Sequence, residues 1–194
     1  MSKKFVIVID AQNDFMKEDG ALPVPGAQAL IPGLKEYLNQ LSPEDTDGVL
    51  FTFDTHVPEV YENSEEGKMF PIHCVAGSEG WKLVVDKGDV SKEIPTYTLI
   101  KGVFNMWEEE GIRINLPDGE DASREFFFAH LKARGITEVE LVGVAADFCV
   151  KWAVDGLLEN GFKARVRKDL TAGIERQIDQ VKSDDWANLE AEIV

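Results

Sequence analysis

The sequence predicts a three-layer α/β/α fold built on a doubly wound, mostly parallel sheet. Three observations predict it. Short, unbroken apolar runs rich in β-branched and aromatic residues recur along the chain, as strands buried on both faces do. Amphipathic helical patterns alternate with these runs, which calls for a parallel sheet covered on both sides. Several runs end at a charged residue, so polar chemistry gathers at one edge of the sheet. The 194 residues suffice for one such domain over 1–194, and no repeat, low-complexity tract or linker divides them.

The first run, FVIVI at 5–9, stops at Asp10. Leu30, Leu34, Leu38 and Leu41 then recur with polar Lys35, Glu36 and Asn39 between them, an amphipathic helix over 30–41. GVLFTF at 48–53 ends at Asp54, TYTLI at 96–100 ends at Lys101, and VELVGV at 139–144 runs toward Cys149. A further strand, FKARVR, starts at Phe162. Helical patterns cover 122–134 and 150–160, the second closed by Gly161 as a glycine just past a helix closes it. Residues 55–80 read as a long irregular segment with Pro58, Pro71 and the acids Glu59, Glu62, Glu65 and Glu66. Segments of that kind are uncommon in compact domains and are usually functional where they occur.

Twenty Lys and Arg stand against 36 Asp and Glu, a net charge of −16 that repels phosphate backbones and anionic membrane surfaces. Nucleic acid and membrane are therefore not expected partners. The N-terminus MSKKFVIVID carries no long apolar core or cleavage site, and no stretch approaches a membrane span, so a soluble cytoplasmic protein is expected. Cys74 and Cys149 read as free thiols, since two cysteines in a chain of this length make no disulfide framework.

In an open α/β sheet, ligands bind beyond the carboxyl ends of the strands. The candidates there are Asp10, Asp54 with His56, Lys101, and Cys149. Each alone has a bland reading: a turn-forming Asp, a solvated Lys, a packed Cys. Together at one edge they do not. Cys149 falls where strand gives way to helix, and the unpaired N–H groups there lower a thiol's pKa. A carboxylate can take the thiol proton, and a lysine can keep that carboxylate ionised. Asp10 and Lys101 supply one of each. Asp54 and His56, with His73 across the irregular segment, form a donor set of the catalytic-zinc type with positions left open. His130, the third histidine, lies in a helical pattern. Imidazoles coordinate only when neutral, so occupancy should fall below about pH 6.

These residues resemble the nicotinamidase/isochorismatase superfamily of cysteine hydrolases, and within it the nicotinamidases. IDAQNDF at 9–15 resembles the opening D-x-Q-x-D-F, FTFDTH at 51–56 with FPIHC at 70–74 resembles the metal-binding motifs, IKG at 100–102 the lysine motif, and GVAADFCVKWAVD at 143–155 the nucleophile turn. The match spans nearly the whole chain, and the four pieces fall in the family's order and spacing.

The resemblance implies an isochorismatase-like fold, a catalytic triad of Asp10, Lys101 and Cys149, and a cis peptide before Ala145 that turns its N–H beside that of Cys149 as an oxyanion hole. It places Asp54, His56 and His73 on a divalent metal, zinc by analogy, with Glu66 matching a fourth ligand of some members. Phe15 and Phe70 fall where aromatic residues flank a substrate ring. The implied activity is metal-dependent hydrolysis of a small carboxamide such as nicotinamide, through a thioester; assembly into a homo-oligomer is left open. One departure matters: where many nicotinamidases carry Tyr-Ser-x-Phe, this chain reads VFNMWEEEG at 103–111, which bears on the substrate.

Rival readings are carried alongside. Isochorismatase-like members lack the metal triad. Amidohydrolases acting on carbamoyl or ureido groups keep the nucleophile and usually dispense with the metal. A phospho-receiver domain needs two adjacent acids after its first strand, and Asp10 is followed by Ala11 and Gln12. A non-catalytic metal-binding module leaves Lys101 and Cys149 without a purpose.

Overall fold

In the computed structural model, which describes residues 3–194, eight strands form one sheet: β1 (Lys4–Ile9), β2 (Thr46–Asp54), β3 (Thr96–Lys101), β4 (Arg113–Asn115), β5 (Asp121–Ser123), β6 (Glu138–Val144), β7 (Lys163–Ala172) and β8 (Ala191–Ile193). Their order is β5-β4-β3-β2-β1-β6-β7-β8. All pairings are parallel except β3 with β4 and β4 with β5. The mostly parallel sheet expected from the sequence is present, with an antiparallel edge added.

The helices are α1 (Asn13–Met16), α2 (Ile31–Gln40), α3 (Pro58–Tyr61), α4 (Glu65–Met69), α5 (Arg124–Ala133), α6 (Cys149–Glu159) and α7 (Ile178–Asp185). Two apolar cores sandwich the sheet because β1 alternates: Phe5, Ile7 and Ile9 join residues of α5, α6 and α7, whereas Val6 and Val8 join Leu34 and Leu38 of α2. The chain leaves β1 toward β2 and later returns to β6 on the opposite side. That reversal is the switch point at which such sheets bind ligands. Gly143 of β6 has φ +115°, and a Cβ there would lie 2.1 Å from the Ile9 carbonyl oxygen, so only glycine lets the two central strands close up at this end.

Several boundaries differ from the sequence reading. The helix read over 30–41 is α2 preceded by a 3₁₀ turn, Ala27–Leu30, with Pro32 tolerated in the first turn because no intrahelical partner awaits its missing N–H. The pattern read as helix from 122 begins as β5, and α5 starts at Arg124, where the Ser123 hydroxyl caps the Phe126 N–H at 3.2 Å. An N-cap takes extended backbone, which lets Ser123 also end a strand. The helix read from 150 starts at Cys149 itself, and Gly161 follows its end with φ +76°. Residues 55–80 are not structureless, since α3 and α4 lie within them; helices of four and five residues show no periodicity to read. Among the described residues no helix is long and apolar enough to cross a membrane.

Candidate active site

Asp10, Lys101 and Cys149 meet at the carboxyl end of the sheet, each almost completely buried. Asp10 leaves β1 with φ +44°. Thr52 fixes it from the neighbouring strand: its hydroxyl donates to Oδ1 at 2.6 Å and accepts the Asp10 N–H at 3.0 Å. Lys101 Nζ lies 2.9 Å from Asp10 Oδ2, 3.2 Å from Asp54 Oδ1 and 3.5 Å from Cys149 Sγ. Burial opposes the Lys101 ammonium, but the two carboxylates outweigh it and hold its pKa well above the usual lysine value. Cys149 is the first residue of α6, so its N–H has no intrahelical partner. The Val144–Ala145 peptide is cis, as the family resemblance implied, and the Ala145 carbonyl accepts from Phe148 and Val150 at 3.1 and 3.0 Å.

One expectation is corrected. Cys149 does not titrate low: complete burial, then Asp10 and Asp54, push its thiol well above the ordinary range, and Lys101 alone among the dominant influences pulls it down. The helix N-terminus and one ammonium do not overcome desolvation. The contact made to the Cys149 sulfur is from the Lys101 ammonium, at 3.5 Å.

Beside this group Asp54, His56, Glu66 and His73, all buried, bring one ligand atom each to within 4.8 Å of one another. Asp54 Oδ2 lies 2.9 Å from His56 Nε2 and 3.0 Å from His73 Nε2, and Glu66 Oε1 lies 3.4 and 3.3 Å from the same nitrogens. The His73 Nδ1–H donates to the Pro71 carbonyl at 2.8 Å, which turns the Nε2 lone pair into the cluster. Neither Glu66 oxygen has a well-aligned donor among the described residues. Four acceptor atoms converging in a buried space require positive charge between them, and this donor set suits a divalent metal ion. Glu59, Glu62 and Glu65 stay exposed, which settles which glutamate joins the cluster.

Without a cation, protons take that role. Burial lowers both imidazoles, but Asp54 and Glu66 outweigh it and raise His56 and His73 to about 9. Burial raises Asp54, yet Lys101 and the imidazoles hold it well below the usual carboxylate range. A metal must therefore displace protons across the neutral range, not only below pH 6.

The two aromatic candidates pack against different neighbours. Phe15, buried, packs its ring 5.0 Å from the His73 ring, on the metal side. Phe70 stands 5.4 Å from Phe148, the residue before Cys149, and 5.7 Å from Phe104.

Several supporting residues went unassigned in the sequence. Gln12, completely buried, grips the Asp54 backbone: its Oε1 accepts the Asp54 N–H and its Nε2 donates to the Asp54 carbonyl, both at 2.8 Å, and Nε2 also reaches the Trp81 carbonyl at 2.9 Å. Asp14 Oδ2 accepts the Cys74 N–H at 2.7 Å, steadying the residue after His73, where φ is +45°. Asp147 accepts the N–H groups of Ile174, Glu175 and Arg176 at 2.9, 2.8 and 2.8 Å, tying the nucleophile turn to the segment after β7. The available signal was a polar residue inside an apolar run, as at Thr52, or inside a motif, as at Gln12 and Asp147.

Fold and site together define a doubly wound α/β protein with a buried Asp–Lys–Cys group beside a buried Asp–His–Glu–His cluster that could hold a divalent metal ion. The chain belongs to the isochorismatase family, whose Isochorismatase domain model matches residues 4–192. It is 32% identical over 172 residues to the nicotinamidase/pyrazinamidase of Mycobacterium tuberculosis, covering 87% of this chain and 86% of that protein. It is 26% identical over 209 residues to the nicotinamidase of Saccharomyces cerevisiae, covering 88% of each. Its fold superposes on the crystal structure of the Pyrococcus horikoshii pyrazinamidase in complex with zinc with a TM-score of 0.75 at 26% identity, covering 99% of this chain and 98% of that one.

Proposed function

We propose that the chain, over 1–194, is a metal-dependent cysteine amidohydrolase that converts nicotinamide to nicotinate and ammonia. The observation that carries this reading is Lys101 Nζ within 3.5 Å of Asp10, Asp54 and Cys149 at once, in a chain whose relatives are named nicotinamidases. Asp10 takes the thiol proton as Cys149 Sγ attacks the carboxamide carbon. The N–H groups of Ala145 and Cys149 receive the developing oxyanion. Asp10 then passes the proton to the departing nitrogen, releasing ammonia and leaving a thioester on Cys149. Asp10 next takes a proton from water as it attacks that thioester, and the returning thiol and the carboxylate product complete the cycle. The raised pKa of the thiol fits this order, because proton transfer accompanies attack and no stable thiolate is needed.

Asp54, His56, Glu66 and His73 would hold the metal, which we take to be zinc. When bound it supplies an electrophilic centre that orients the substrate ring. Phe15 and Phe70 flank that ring. The test is ammonia release from nicotinamide, pyrazinamide and a set of carbamoyl and ureido compounds. Release from the first two alone supports the reading, whereas release only from the carbamoyl or ureido compounds replaces it with the metal-independent amidohydrolase alternative.

A further inference from the structure

We propose that Phe104 is a specificity-determining residue of this site, selecting flat aromatic carboxamides, and that Trp107 is the positioning residue that holds it there; this rests on the amidohydrolase reading. The segments bearing the three kinds of functional group each send one phenylalanine to a single cluster. Phe70 precedes His73, Phe104 follows Lys101, and Phe148 directly precedes Cys149. Their ring centroids lie 5.7 Å (Phe70–Phe104), 5.4 Å (Phe70–Phe148) and 5.2 Å (Phe104–Phe148) apart, and all three are half-buried. Phe104 also lines a cleft of about 340 Å³ that reaches the metal-cluster residue Glu66. One ring thus packs on Phe148, the residue before Cys149, and also lines a cleft that Glu66 shares.

Phe104 sits in the stretch where the chain departs from its family's pattern, and that stretch is fastened at several points. The Trp107 indole N–H donates to the Ala153 carbonyl of α6 at 3.3 Å. Its ring lies on Gly156, where a Cβ would come within 2.2 Å of the indole. Arg124 donates to the Met106 carbonyl and, at 3.1 Å, to that of Glu109, with its guanidinium 5.8 Å from the Trp107 ring centroid. The Glu109 carboxylate accepts the Gly102 N–H at 2.8 Å. The far end of the excursion is tied to α5 and α6, and its near end, at Gly102, is tied back to Glu109, so Phe104 sits in a loop closed on itself and anchored to the helices behind it. Aromatic rings reward edge-to-face and offset contact with another flat ring. A saturated ring of the same size offers no π system to meet them.

The test measures KM and kcat for nicotinamide, and inhibition by benzamide against cyclohexanecarboxamide, in wild type, Phe104→Ala, Phe104→Leu, Phe104→Tyr and Trp107→Ala. Phe104→Ala should raise the nicotinamide KM about tenfold, the upper end of what an aromatic pair contributes, and abolish the preference for benzamide. Metal content and Cys149 alkylation by iodoacetamide should not change. Phe104→Leu, which keeps bulk, should lose the preference even if the alanine variant fails to fold, Phe104→Tyr should recover most of it, and Trp107→Ala should follow Phe104→Ala. A lowered melting temperature with unchanged KM and unchanged inhibitor preference would reduce the cluster to packing and overturn the proposal alone. A wild type inert toward nicotinamide would instead overturn the nicotinamide-hydrolysing reading, and this inference with it.

Discussion

Asp54 and Lys101 are cross-strand partners at the ends of β2 and β3, and the Asp54 carboxylate is divided between two tasks. Its Oδ1 lies 3.2 Å from Lys101 Nζ, while its Oδ2 lies 2.9 and 3.0 Å from the two imidazoles. One carboxylate therefore joins the Asp10–Lys101–Cys149 group to the His56–Glu66–His73 cluster. Gln12 clamps its backbone from both sides, so neither task can shift it without breaking buried hydrogen bonds.

Cys149→Ala is expected to abolish amide hydrolysis and leave the fold intact, since one small side chain is lost from the first turn of α6. Cys74→Ala should leave turnover near wild type: Asp14 contacts the backbone of Cys74 and not its thiol. Turnover retained by the Cys149 variant, with loss in the Cys74 variant, would show that the nucleophile is misassigned. Circular dichroism on both proteins separates chemistry from unfolding.

Asp10→Asn keeps the shape but cannot take the thiol proton. Turnover should fall roughly 10²–10⁴-fold, the contribution of a positioned general base. Lys101→Ala should cripple turnover too, and Cys149 alkylation should slow, because the variant removes the ammonium that draws the thiol's pKa down. Wild-type rates in either protein would end the triad assignment.

One divalent metal per chain is expected on elemental analysis, falling toward zero in His56→Ala and in His73→Ala. Gln12→Ala touches no ligand atom yet should weaken metal affinity about 10–100-fold, as loss of a supporting partner typically does. Equal metal content in the wild type and both histidine variants would eliminate the site. An unchanged affinity in Gln12→Ala would mean that Asp54 needs no clamp.

A pH effect on stability should come from the far end of the sheet. Burial raises Glu140, but Lys4 at 2.8 Å and the Tyr37 hydroxyl at 2.5 Å outweigh it, and its pKa is lowered. A depressed carboxylate adds stability above its unfolded pKa, and that stability is lost as pH falls through the folded value. Denaturant melts from pH 7 downward should therefore show a loss beginning near the unfolded pKa of about 4.3. Glu140→Gln should be less stable at pH 7, by about 1–3 kcal/mol for the impaired buried interactions, and should show a shallower acid-induced decline. Parallel curves for the two proteins would place the acid sensitivity elsewhere.

The sequence by itself determined the layered α/β class, because strand and helix periods are local and the central strands β1, β2 and β6 are buried on both faces. It also located Asp10, Asp54, Lys101 and Cys149, since each stands at or just beyond the end of a legible strand. Other features were decided only in three dimensions. The edge strands β4 and β5 are too short for a period to show. Glu66, among four neighbouring glutamates, was chosen by the turn of α4 that buries it alone of the four. Gln12 and Phe104 acquire their roles from partners that are distant in the chain, Asp54 and Phe148, which only the strand order brings within reach. The direction of the Cys149 pKa was also tertiary: a helix start is local and argues for a low value, whereas burial and two carboxylates gathered from β1 and β2 raise it. Desolvation depends on what surrounds a group from every side, and no neighbour in the chain reports that.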